Sequence, residues 1–368
     1  MVRVIFLVAP FKRHMIEAMA ARFNSVEYDI VTPRYPLPQS EWRKIRFAEK
    51  LDEKLLGGAA VRNAIRRFRP HVVYSDSPLY AAQFKLMSIL SSLRAPLVLH
   101  LRGDVWREYW ATFEMASIRN RTLDLQQFGY TWAAVTLAAR ITPICGWLQT
   151  VVRHYVPWKK SEVVYQGVSP EQFRPQEWFD ALHPSVAIIQ NHSIMPKVQG
   201  LLNFKRVVRR LPNVHFYIAE GEAFAQQFLE AVKQSYAGLT NVHFVKDVAS
   251  SEAVSRMITA CGCYVLASGL DCCPTTVLEA SLLEKPVLAS RVGGVPEIIA
   301  DGYTGWTINN DNIEAWVNKI DMLLKDSKLS RKLGRQGRRW VSERFGWNAI
   351  APQVERLIIY EATKSPLL

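Results

Sequence analysis

No uncharged run in this sequence reaches the ~18 apolar residues that a membrane-crossing helix needs. Any membrane association is therefore expected to be peripheral. The opening stretch, VRVIFLVAPFKRHM, has an apolar run too short for a secretory signal core and no small-residue cleavage site, so no leader is expected. Cysteine is scarce: five in 368 residues, an odd number. Cys261 and Cys263 alternate along a strand-like run, and Cys272 and Cys273 are adjacent. Neither pair has zinc-knuckle spacing, and no other His or Cys pair completes a four-ligand site, so no metal is expected. Reduced thiols in a cytoplasmic protein are the reading that fits. Short-period repeats and low-complexity tracts are also absent. With 49% apolar and 21% charged residues the chain is globular.

Basic charge is present, and it is uneven. Residues 1–175 carry 25 Lys+Arg and 14 Asp+Glu, a balance of +11, out of a net +13 for the whole chain. A basic first half attracts phosphates, whether of nucleic acid, lipid headgroups or phosphorylated substrates. KRHMIEAMAARF and EWRKIRFAEK mix basic with apolar or aromatic residues, as an interfacial surface would, and ordinary surface helices also fit them. No zinc-finger or RRM-like motif accompanies the charge, so a nucleic-acid partner has only the charge to support it.

Short apolar runs alternate with longer mixed segments. VRVIFLVA, VEYDIVT, HVVYSD, PLVLHL and ARITPIC are rich in Val and Ile, as in strands buried on both faces. HMIEAMAARF and AAQFKLMSILSSL between them have helical spacing. The pattern restarts with SVAIIQ, VHFYIAE, VHFVKD, CYVLAS and KPVLAS, interleaved with the helix candidates GLLNFKRVVRRL, EAVSRMITA and TTVLEASLLE. Two such sets predict an α/β protein with two Rossmann-like, doubly wound parallel-sheet domains facing a cleft. The joint is expected in the turn-rich residues 165–185. Ligands of such sheets bind at the carboxyl ends of strands.

The stretch SGLDCCPTTVLEAS, residues 268–281, holds two acids, Asp271 and Glu279, with seven residues between them. Pro274 disfavours helix at Cys273, so a helix should begin near Pro274. Asp271 then lies in the preceding loop and Glu279 in the second helical turn. First-turn N–H groups at Thr275, Thr276 and Val277 lack helical partners and suit an anion such as a diphosphate. Flanking carboxylates suit vicinal hydroxyls, because one carboxylate accepts two such hydrogen bonds. Taken alone, the turn also fits a capped loop before a surface helix. The next segment, KPVLASRVGGVPEIIADGYTGW, adds a Gly293–Gly294 turn, a second helix start and a further Gly-rich turn, which favours a binding site.

The run SGLDCCPTTVLEASLLEKPVLASRVGGVPEIIADGYTGW resembles the donor-binding segment of retaining glycosyltransferases of the GT-B fold, family four. YQGVSPEQFRP resembles that family's entry into its second domain, GRQGRRWVSERFGWNAIAPQVERLI its C-terminal helices, and RPHVVYSDSP and APLVLHLRGDVW strands of its first domain. The resemblance weakens before residue 70. It implies an acceptor-side domain over residues 1–170, a donor-binding domain over 171–348, and a helix over 349–368 that crosses back. By position, Glu279 would bind the nucleotide ribose and Asp271 the donor sugar. The backbone of Cys273 to Val277, including Pro274, would hold sugar and phosphate oxygens. Lys197 matches a lysine that neutralises the donor diphosphate.

Three positions depart from the family pattern. Asp271 stands where a Glu is usual. His192 stands where an Arg usually precedes the lysine by five residues, and neutral His supplies no fixed charge. Arg102 stands where many members carry a His after the fourth strand, with His100 two residues earlier and Asp104 two residues later. His100, Arg102 and Asp104 join Asp271 as candidates at the transfer centre; a strand-end turn with a local ion pair fits the first three equally. The resemblance implies sugar transfer from a nucleotide-diphosphate sugar to an acceptor hydroxyl, without metal or other cofactor; the basic first half suits an anionic or lipid-linked acceptor. The alternatives are a catalytically degenerate subunit that supports a partner transferase and a nucleic-acid-binding or -modifying protein.

Overall fold

The computed structural model describes residues 1–9, 12–33, 58–90, 95–107, 118–175, 184–192, 194–221 and 228–364. The basic segment EWRKIRFAEK lies outside the described residues. The chain divides into two compact units: residues 1–167 with 347–368, and residues 168–346.

The first unit holds strands Val2–Leu7 (β1), Val26–Val31 (β2), Val72–Ser75 (β3), Leu97–Leu101 (β4) and Arg140–Pro143 (β5). Its described helices are Arg13–Ala20 (α1), Gly58–Phe68 (α2), Pro78–Leu90 (α3), Ile118–Leu137 (α4) and Gly146–Tyr155 (α5). The strands pair in parallel in the order β2-β1-β3-β4-β5. Residues of β3 and β4 are buried without interruption, as strands with both faces covered must be.

The second unit holds Ser185–Ile188 (β6), His215–Ala219 (β7), Val242–Val245 (β8), Cys263–Leu266 (β9), Val287–Ser290 (β10) and Gly305–Ile308 (β11). Its described helices are Met195–Arg210 (α6), Leu229–Tyr236 (α7), Ser251–Thr259 (α8), Thr275–Leu282 (α9), Val295–Ile298 (α10), Ile313–Lys325 (α11) and Ser327–Phe345 (α12). The order β11-β10-β9-β6-β7-β8 is again all parallel. The segment ADGYTGW, read from sequence as a turn only, runs into β11. Asp301 ties that turn down by accepting from the Thr307 N–H at 2.6 Å. The core centres on Trp316, packed edge-on to Phe204, which in turn meets Phe216.

The last described helix, Trp347–Thr363 (α13), belongs to the first unit. Trp347, Ile350, Val354 and Ile358 join Val4, Phe6 and Tyr74 in one buried cluster. Each such side chain removed from water contributes about 1.5–3 kcal/mol. Polar ties fix the helix in register. Glu355 accepts from the N–H groups of Asn24 and Ser25, and Arg140 pairs with Glu361 at 2.7 Å.

Candidate active site

Each parallel sheet has one place where the strand order reverses, and ligands bind outside the carboxyl ends there. In the second unit that place is β6 beside β9. The chain leaving β9 is pressed against the first turn of α6. Gly269 donates its N–H to the Lys197 carbonyl at 3.2 Å. A Cβ on Gly269 would lie 2.2 Å from the Pro196 oxygen, and one on Gly200 would lie 2.3 Å from the Ser268 carbonyl carbon, so only glycine permits this approach. Lys197, in that first turn, is thereby brought to the loop that carries Asp271.

The helix α9 begins after Pro274, whose φ of −65° and ψ of 117° end the extended chain. No side chain caps this helix start. It is held by hydroxyls instead. Tyr264, on β9, donates to the Ile189 carbonyl at 2.8 Å and is 2.7 Å from the Thr276 hydroxyl. Thr276 is therefore committed to the scaffold, locking α9 to the end of β6. Removing one buried hydrogen-bonding hydroxyl costs about 1–3 kcal/mol. Tyr264→Phe should accordingly lower the melting temperature by several degrees, and a melting curve within one degree of wild type would remove this tie from the account.

Asp271 accepts from the Cys272 N–H at 3.0 Å, and its carbonyl accepts from the Gly294 N–H at 3.1 Å. The Gly293–Gly294 turn thus closes onto the Asp271 loop, with Gly293 at φ 51°. Burial raises the Asp271 pKa, while Lys197 and the Cys272 N–H pull it back. Glu279 is half-buried one turn into α9 and is pushed up to about 7 by burial, against a hydrogen bond from Thr275. Behind these groups, Ser290 donates to Asn310 at 2.5 Å and accepts from the Ser268 N–H at 3.0 Å, while Asn310 donates to the Ser268 carbonyl. The ends of β9, β10 and β11 are fastened to one another in this way.

His192 is fully buried beyond the end of β6. Its Nε2 donates to the Ala219 carbonyl at 2.9 Å, which leaves Nδ1 as the unprotonated acceptor. Burial lowers its pKa, so it is a neutral ring here. Cys273, Pro274 and Val277 are buried as well, and what they can offer a ligand is backbone.

In the first unit the sheet order reverses between β1 and β3. Asp76 follows β3, with Oδ2 3.1 Å from Lys12 Nζ and 3.5 Å from Arg102. His100 is stacked on Tyr74 and lies 3.1 Å from the Thr142 hydroxyl. Burial pushes the His100 pKa down to about 3, with Arg102 adding to the effect, so this imidazole is neutral across the physiological range. A cavity of about 30 Å³, room for one water, lies among Tyr74, Asp76, His100, Arg102 and Trp347. Asp104 is 4% exposed, and its Oδ1 accepts from the Arg107 N–H at 3.0 Å, the geometry of a helix cap.

The structure therefore brings together Asp271, Lys197, the start of α9 and the Gly293–Gly294 turn, with Glu279 one turn on. It also brings Arg102 to Asp76. Sequence reasoning missed Asp76, Lys12 and Tyr264. Asp76 and Lys12 had a usable signal, since each follows a first-unit strand at the point of reversal.

Residues 196–340 match the family model of glycosyl transferases group 1. This part of the chain is a group 1 glycosyltransferase domain. Beyond it, the chain is similar to a GDP-mannose-dependent alpha-(1-6)-phosphatidylinositol monomannoside mannosyltransferase of Mycolicibacterium smegmatis. That match is 26% identical over 86% of this chain and 88% of the relative. An alpha-maltose-1-phosphate synthase of the same organism is 30% identical, but the match covers only 47% of each chain. Among solved structures, a sucrose-phosphate synthase from Thermosynechococcus elongatus aligns with a TM-score of 0.76 at 18% identity, over 98% of this chain and 99% of that one. That likeness is one of fold, the GT-B arrangement of two parallel-sheet α/β domains. The glycosyltransferase domain contains Lys197, Asp271, the α9 start, Glu279 and the glycine pair; His192 precedes it.

Proposed function

We propose that this chain transfers a sugar from a nucleoside-diphosphate sugar to an acceptor hydroxyl, with retention at the anomeric carbon. The observation that carries the reading is the uncapped start of α9, flanked by Asp271 and Glu279 with Lys197 held beside Asp271. In the reaction the bond from the anomeric carbon to phosphate breaks, one to the acceptor oxygen forms, and the nucleoside diphosphate leaves with its charge. Lys197 and the α9 N–H groups meet that charge. Asp271 binds sugar hydroxyls, and Glu279 accepts from the ribose diol. Retention is supported by the resemblance of residues 268–306 to retaining enzymes. We assign the positive charge at the diphosphate to these protein groups and none to a metal.

The basic first half of the chain supports an anionic or lipid-linked acceptor and work at a cytoplasmic membrane surface in glycolipid, polysaccharide or glycan synthesis. The mannosyltransferase relative, named for a phosphatidylinositol acceptor, points the same way. His100, Arg102 and Asp76 are the first unit's groups for acceptor binding, and Asp104 keeps their loop in place. Neutral His192, where a cation is usual, is the observation that favours a degenerate, non-catalytic subunit. A thermal-shift screen of nucleoside diphosphates and nucleotide sugars, followed by donor hydrolysis, separates these readings. A donor at about 100 Kd should stabilise by about 2.7 kcal/mol and then turn over. Stabilisation without turnover, with or without acceptor extract, would support the degenerate subunit; absence of any stabilisation removes the donor site.

A further inference from the structure

Unit one has an exposed surface at the amino end of its edge strand β5, away from the strand ends that carry Asp76 and Arg102. Trp158 tips a turn there and is 67% exposed, the most exposed aromatic among the described residues. Leu137, at the end of α4, is 45% exposed, and Tyr360, on α13, is 47% exposed. These groups form one surface. Lys159 donates to the Ala138 carbonyl at 2.7 Å, which fastens the Trp158 turn beside Leu137. The Ile141 N–H donates to the Lys160 carbonyl at 3.0 Å, which fastens the same turn to β5. Lys364 lies 3.6 Å from the centre of the Tyr360 ring. Lys160 and Arg140 share the neighbourhood of that phenol and, with a hydrogen bond to Lys364 as the main cause, draw its pKa down.

The charge there is net positive, three lysines and Arg140 against two acids. Lys159, Lys160 and Lys364 stand around the apolar groups. The acids on the same side, Glu162 and Glu361, are both engaged by Arg140. An indole on a turn tip, a leucine beside it and a ring of lysines is the chemistry of a bilayer interface. Indole and phenol rings settle at headgroup depth, and lysine stems reach over apolar surface while the ammonium meets phosphate. A nucleic acid would satisfy the lysines but gives Leu137 and Trp158 no hydrocarbon to enter.

We infer that the surface formed by Trp158, Leu137, Tyr360, Lys160 and Lys364 docks this protein on an anionic lipid bilayer. Docking there leaves the carboxyl ends of the unit-one strands uncovered. The inference rests on the membrane-surface reading proposed above and not on the donor assignment; vesicle binding of the wild type tests that reading, and the variants test this surface.

The test is co-sedimentation of the full chain with phosphatidylcholine vesicles, with and without about 30% phosphatidylglycerol, at moderate salt. Wild type should sediment with the anionic vesicles and not with the neutral ones. Trp158→Ala should lower the partition about tenfold, as loss of an inserted ring should. Lys160→Glu combined with Lys364→Glu should lower it at least tenfold and abolish the preference for anionic lipid. Both variants change exposed residues, so melting temperature and any donor-induced thermal shift should stay at wild-type values. The inference is overturned if wild type ignores anionic vesicles, or if both variants partition like wild type. Binding of duplex nucleic acid through these residues, with no vesicle binding, would overturn it equally.

Discussion

Lys197→Ala should lower donor turnover by about 10²–10³-fold, the loss seen when one preorganised group facing developing charge is removed. The size follows from the geometry. Lys197 is in the first turn of α6, and its backbone carbonyl is tied to Gly269 in the loop leading to Asp271. The side chain starts from a backbone fixed in a helix, so the position of its Cα adds no ordering cost, although the four-carbon stem must still be ordered. The comparison is single-turnover hydrolysis of whichever nucleotide sugar stabilises the wild type. Lys197→Arg keeps the charge and should recover much of the rate, whereas an alanine variant within twofold of wild type would mean that Lys197 does not face the leaving group. Lys197 also pulls the Asp271 pKa down, so the alanine variant should make Asp271 harder to ionise and move the acid limb of the rate profile to higher pH.

Glu279→Gln should have opposite effects on stability and on binding. Burial raises Glu279 to about 7, above the ~4.3 of an unperturbed glutamate. The folded chain therefore holds this proton more tightly than the unfolded chain does. The resulting stabilisation is complete below the unfolded pKa and is lost as pH rises through 7. Glutamine never ionises. The variant should match wild type near pH 4 and exceed it at pH 8 by roughly 3–4 kcal/mol, read by urea denaturation at both values. Donor affinity should move the other way. Two ribose hydroxyls donating to the carboxylate favour its charged form, so wild-type affinity should rise with pH through about 7 while the variant stays weak and flat. A wild-type affinity independent of pH across this range would rule out Glu279 as the ribose acceptor. A group that costs stability yet serves binding is what a functional site is expected to contain.

The two sheets were legible because both faces of every central strand are covered, which writes uninterrupted Val and Ile runs into the chain. The start of α9 was legible because Pro274 restricts its neighbour and its own φ locally, without reference to the rest of the fold. β11 was not: its four residues begin at a glycine within a turn motif, and it is a strand because Asp301 and β10 hold it. Tyr264 read as one more apolar residue of a strand, since its hydroxyl finds Ile189, 75 residues earlier, only after the sheet forms. The pairing of Asp76 with Lys12 and Arg102 has the same origin: strand order, not spacing, makes them neighbours. The Asp271 backbone tie to Gly294 was within reach of sequence only as two loops after adjacent strands.

The return of α13 to the first unit has a consequence for how the protein is made. Residues 168–346 are continuous and can close their core as soon as they have been synthesised. The first unit cannot. Trp347, Ile350, Val354 and Ile358 fill its interior, and a Cβ on Gly167 would lie 2.1 Å from the Trp347 ring, so the joint is shaped around that side chain. Its β-strands are synthesised before the second unit and their packing is completed after it, with apolar surface uncovered until α13 has been made. A chain stopped near residue 346 should keep the fold of its second unit and lose that of its first.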